Sequence, residues 1–92
     1  MASNNFLIFN ENKKNMLSDT AYDSDNQRKN GLEPGMARSA LMNKVLYQIT
    51  TVCSSIAQFL ASKGYNVEEN ADSLYNCISD LLSNKIVDDT TS

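Results

Sequence analysis

The sequence predicts an all-α protein: an extended N-terminal arm with one short helix, then a long helix and a second helix forming an antiparallel hairpin. Three observations predict it. Residues 39–63 form a single run in which apolar side chains recur every three or four positions. A second such run occupies roughly residues 69–87. The first 38 residues hold few large apolar groups beyond Phe6, Leu7, Ile8, Phe9, Met16, Leu17, Tyr22, Leu32 and Met36. The chain therefore divides into an arm (1–38), a hairpin module (39–87) and an acidic, hydroxyl-rich tail (88–92) expected to be mobile.

In the arm, residues 1–5 are small and polar, and fray unless a partner holds them. Phe6, Leu7, Ile8 and Phe9 read as a lone strand, which needs another element to satisfy its backbone. Residues 10–15 read as loop. Ser18 is a helix cap and Asp19 suits the positive end of the dipole, so a short helix runs to about Lys29 and stops at Asn30-Gly31. Pro34-Gly35 marks a turn. Such an arm is either disordered or ordered by lying across another surface.

The long helix has Ser39 as its expected N-cap and Gly64 as its terminator, with Tyr65 placed to pack on Leu60. Met42, Val45, Ile49, Val52, Ile56 and Phe59 alternate at spacings of three and four, and Leu46, Cys53 and Leu60 run beside them at steps of seven. This stripe is broad enough for a bundle, and its β-branched seam positions lean toward three strands. After a connector at residues 65–70, the second helix carries Leu74, Ile78, Leu81, Leu82 and Ile86 at helical spacing, with Cys77 beside them. Glu68, Glu69 and Asp72 near its start and Lys85 near its end match the macrodipole. A short connector makes the pair an antiparallel hairpin. The stripe and the leucines of the second helix form the expected oligomer or hairpin core. Ninety-two residues bury only a modest core, so oligomerisation as a helical bundle, or a larger partner, is expected.

Composition excludes several function classes. Up to residue 47 there are six basic and five acidic residues; from residue 48 there are two and six. No basic cluster is dense enough to neutralise a run of phosphates, so no nucleic-acid partner is expected. The N-terminus lacks the basic region of a signal peptide. Lys44, Gln48 and many hydroxyls argue against a membrane span. The reading is a soluble chain made in a reducing cytoplasm. Cys53 and Cys77 are too few and too separated for a disulfide framework or a zinc site. They read as small buried hydrophobes, with a bridge between the two helices as the alternative. The chain has no histidine, no activated cysteine, no calcium-loop spacing, and glycines (Gly31, Gly35) that do not make a phosphate loop. Asp19, Asp23 and Asp25 read as a solvated face rather than an ion site. No enzymatic activity, metal, cofactor or small-molecule ligand is expected.

A longer pattern runs through both halves. Phe9-Asn10, Lys13, Asn15-Met16, Ser18-Asp19, Tyr22, Arg28, Gly31, Pro34-Gly35 and Ala37 make its first part. Ser39-Ala40-Leu41, Asn43-Lys44, Tyr47-Gln48, Thr51, Gln58-Phe59 and Gly64-Tyr65 continue it. Together they resemble a family of small bacteriophage tail-associated proteins, over residues 9 to about 82. Its members stand at the N-terminus of tail-fibre or baseplate-related proteins, or as short reading frames among tail genes. The resemblance implies a non-enzymatic virion structural protein, an adaptor or attachment module in the tail, assembled in the bacterial host cytoplasm. Its implied partners are copies of itself, three favoured, and other virion tail proteins. Met42 stands where the family often has His, and the chain ends soon after the module without a receptor-binding shaft or tip, which favours an adaptor, plug or decoration. A capsid-decorating or head-fibre protein is the nearest alternative, and a cytoplasmic helical-hairpin regulator with one protein partner is another.

Asn43, Lys44, Tyr47 and Gln48 are not needed to build a buried helix, yet they form the most recognisable patch. Each four-residue pair shares a face. They either pack on the arm and cap nearby backbone or dock a neighbouring subunit. Phe6 to Phe9 and the Pro34-Gly35 turn complete the docking candidates, as anchors that lie across neighbours.

Overall fold

Helix boundaries in this chain are set by side chains whose partners can be named. The computed structural model describes residues 2–35 and 38–91, with side chains to residue 83. Met36, Ala37 and the side chains of Lys85 and Ile86, which enter the sequence reading, lie outside the described residues. The protein is mostly helical, at 59%, with no strand among the described residues, so the class is all-α. Four helices follow in order: α1 (Asp19–Asp23), α2 (Asn26–Asn30), α3 (Ser39–Ser62) and α4 (Ala71–Thr91).

The single short helix expected near residues 18–29 is two. Ser18 caps α1 as its sequence suggests, accepting from the Ala21 N–H at 3.1 Å. Asp25 then leaves helical geometry, with ψ of 128°, and its carboxylate accepts from the N–H groups of Gln27 and Arg28 to start α2. A second good capping residue, seven positions after Ser18, divides the expected helix. Arg28 joins the pieces: its guanidinium donates to the carbonyls of Tyr22 and Asp23, both at 2.6 Å, satisfying the exposed end of α1.

Helix α3 begins one residue earlier in its cap than expected. The Arg38 carbonyl accepts the first helical bond, from Met42 N–H, so Ser39 lies inside the first turn. The Ser39 hydroxyl instead accepts from the Asn15 side chain at 2.8 Å. The far end closes as the sequence suggests. Gly64 takes φ of 98°, Tyr65 N–H reaches the Leu60 carbonyl at 3.2 Å and Gly64 N–H reaches Ala61 at 3.0 Å. Those two bonds are the paired closure of a Schellman motif. By length and composition alone, α3 is long and apolar enough to cross a membrane.

Helix α4 starts at Ala71 rather than near Glu69, because Asn70 is the cap: its side chain accepts from Ser73 N–H at 3.0 Å. It runs to Thr91, where the sequence reading ends the helix near Val87 and begins a tail at residue 88.

The chain divides into two compact units, Leu7–Val52 and Met1–Phe6 with Cys53–Ser92. The second is built on Ala57, Leu60, Ala61 and Val67, all buried, with Phe6, Tyr65, Leu74, Cys77 and Leu81 packed against them. Its N-terminal residues form a clip. Val67 donates its N–H to Ser3 and accepts from Asn5 N–H, at 2.9 and 3.1 Å, in a parallel bridge centred on Asn4. The lone strand expected at residues 6–9 is therefore displaced: pairing occurs at residues 3–5, and Phe6 packs on the apolar cluster instead.

Candidate interaction surface

The Leu7–Val52 unit is organised by polar contacts between the arm and the first turns of α3. A left-handed loop sets them up. Asn10, Lys13 and Asn15 have φ of 57°, 58° and 46°. Asn10 clasps the loop with its amide, donating to the Lys14 carbonyl at 2.8 Å and accepting from Lys14 N–H at 3.3 Å. Asn tolerates this conformation; Lys13 does so at a cost of about 1 kcal/mol. The reversal aims Asn15 at α3, where its side chain donates to Ser39 and its carbonyl accepts from the Asn43 side chain at 2.9 Å. Further along, Phe9 N–H donates to the Thr50 hydroxyl at 2.8 Å.

Two ion pairs lock the same unit. Lys44 is only 5% exposed and donates to the Asp19 carboxylate. Arg38 holds Asp25 with both terminal nitrogens, at 3.0 and 2.6 Å, and also reaches the Gln27 side chain at 3.3 Å. That guanidinium, with the N–H groups of Arg28 and Gln27, brings the Asp25 carboxyl down to about 2 although burial opposes it. The Lys44 hydrogen bond and charge lower the Asp19 carboxyl likewise. Asp19 and Asp25 thus each serve a different cation. Among the described residues, no group of His, Cys, Asp and Glu is arranged to hold a metal ion.

The docking candidates of the first two turns divide between roles. Lys44 is buried in its ion pair, and Asn43 is spent on the arm. Tyr47 is half-buried with the Lys13 ammonium 5.8 Å from its ring centroid. Gln48 is exposed, beside Asp19, Tyr22, Asp23 and Arg28 in a shallow polar depression. In the arm, Phe6 is half-buried in the apolar cluster, Leu7 is 81% exposed, Ile8 is half-buried, Phe9 is exposed, and Pro34 and Gly35 are exposed in their turn. Asn15, Asp25 and Arg38 hold the arm without standing out in the sequence, because each partner lies 13 to 28 positions away.

The apolar stripe of α3 is mostly open. Of the expected core residues, only Leu60 is buried. Met42, Val45, Leu74 and Leu81 are half-buried, while Leu46, Ile49, Val52, Cys53, Ile56, Phe59, Ile78 and Leu82 are exposed. The buried face of α3 consists instead of Leu41, Lys44, Ser54, Ala57, Leu60 and Ala61. Small residues let the chain approach closely there, whereas the large side chains stand outside that contact. Both cysteines are free, Cys53 exposed and Cys77 half-buried, so the bridge considered from the sequence does not form. A cleft of about 150 Å³ is lined by Phe6, Ala57, Leu60 and Val67, together with Cys53, Ile56, Leu74 and Ile78.

No family model, curated protein or solved structure matches the chain.

Proposed function

We propose that the chain is a non-enzymatic structural protein of a bacteriophage virion, an adaptor or attachment module of the tail. It assembles in several copies, three favoured, in the host cytoplasm. In this reading α3 and α4 act as an antiparallel hairpin whose outer faces meet other copies, and arm residues reach neighbouring tail proteins. One observation carries it: the residues of the tail-protein resemblance converge on a single arm-to-helix latch. Asn15, Asp19, Asn43 and Lys44 bond the arm to α3, while Asn10, Ser18 and Arg28 make bonds within the arm that shape it. A pattern used to build a latch supports a module selected for its shape rather than for chemistry.

Quantitative mass spectrometry of purified particles tests the role. A fixed copy number in the tail fraction, in a multiple of three, is the expected result. Recovery with heads would replace it by the decoration reading, and absence from particles would end the virion reading in favour of a cytoplasmic regulator.

A further inference from the structure

The exposed face of α3 has a regularity that a solvent face does not need. Ile49, Val52, Ile56 and Phe59 follow one another at steps of three and four, and are 55%, 59%, 51% and 53% exposed. Leu46 and Cys53 flank them and are also exposed. Together these six side chains present on the order of 500 Å² of apolar surface, within the roughly 300–600 Å² of the largest, often functional, patch on a monomer. That is about three-fifths of the roughly 800 Å² that each partner contributes to a stable interface. From Val45 to Ser62 the helix carries no charged residue.

We infer that this face is a self-association seam, closed by the same face of other copies of this chain, and that folding of the chain is coupled to that closure. The inference rests on the assembling-module reading and names its contact. The three-four spacing over residues 42–59 is the period at which helices interlock with one another. Within the uncharged run no residue repels an identical copy; the Lys63 ammonium, 5.4 Å from the Phe59 ring centroid, marks the end of the seam. A partner of other composition would be chosen by charge at the flanking positions, and Leu46, Gln48, Cys53 and Ser55 offer none. A membrane surface is disfavoured because an interfacial helix borders its apolar face with Lys and Arg. The only basic residue within α3, Lys44, is buried against Asp19. The need for closure follows from the small core: of the five buried apolar residues among the described residues, two are alanines.

Sedimentation equilibrium and thermal unfolding of the whole chain across the micromolar range test the seam without any variant. A trimer or dimer whose melting temperature rises with protein concentration is expected. A monomer with a concentration-independent transition overturns the inference, as does a monomer that floats with phosphatidylcholine–phosphatidylglycerol vesicles. Ile56→Glu and Ile56→Lys are each expected to weaken association at least tenfold, and mixing the two to restore it. Should both variants fail to fold alone, folding on mixing supports the seam; no recovery, with the wild type monomeric, overturns it. The virion role is judged separately: a chain that trimerises but is absent from particles keeps the seam and loses the role.

Discussion

One helix serves two units that hold themselves together by opposite means. In the Leu7–Val52 unit, the buried face of α3 offers Leu41 and Lys44, and the arm is secured by Asp19, Asn15 and the Arg38–Asp25 pair. In the unit of Met1–Phe6 with Cys53–Ser92, the same helix offers Ala57, Leu60 and Ala61 to an apolar cluster. The contrast shows how little of this fold depends on the large side chains of the stripe. Directional bonds can hold an arm with few apolar anchors, because each bond fixes a geometry that burial alone does not. The apolar unit needs close approach, and its alanines provide it.

That contrast can be broken most severely at Leu60. Leu60→Ala removes a side chain only 2% exposed from a cluster of four buried residues and should cost about 3 kcal/mol. Hydrogen exchange is the discriminating measurement. Amides of the apolar unit should lose protection while those of α1 and α2 keep theirs; equal loss in both would mean that the units are one cooperative structure.

A smaller effect is expected at Asp25, where a pair of variants separates two jobs. Asp25→Ala removes both the α2 cap and the Arg38 latch, and should expose residues 19–30 to protease. Asp25→Asn keeps a good cap and loses the charge, so it should be cleaved at an intermediate rate. The sign of the pH dependence follows from the carboxyl. Its folded value of about 2 lies below the ordinary 3.8, so its contribution is complete above about pH 4 and fades as pH falls toward 2. Proteolytic or exchange protection of the arm should be flat from pH 5 to 8 in this respect, and the Asp25→Asn variant should lack the acid decline assigned to this carboxyl.

The smallest effect belongs to the left-handed loop. Lys13→Gly relieves the strain of φ at 58° but forfeits the contact with the Tyr47 ring, two terms of about 1 kcal/mol that oppose each other. Chemical denaturation should show a change within about 0.5 kcal/mol. A loss well beyond that would make the ring contact a main support of the arm.

Much of the secondary structure was legible. Ser18 announced α1, and Gly64-Tyr65 announced the end of α3, because capping acts within one turn and is written locally. The split at Asp25 and the Asn70 cap of α4 are hard to read because several residues in each stretch can cap; at Asp25 a tertiary partner, Arg38, adds to the local bonds. Arg38 makes Asp25 the favoured site, over Ser18 as the sole start. The candidate surface was half legible. Lys44 and Tyr47 stand out in the sequence, and their arm partners, Asp19 and Lys13, lie 25 or more positions away.

By itself, then, the sequence determined that the chain is helical, where its long helix ends and which residues stand out from a plain amphipathic pattern. Periodicity and capping are short-range properties, so adjacent residues suffice to state them. Only the tertiary structure decided which face of the long helix is buried. The stripe from Met42 to Phe59 has the stronger apolar pattern, yet the face of Leu41, Lys44, Ser54, Ala57 and Ala61 is the one covered. Close approach requires small side chains and paired polar groups, and that preference becomes visible only when the opposing residues are in place. The large apolar side chains at Ile49, Val52, Ile56 and Phe59 are left more than half exposed.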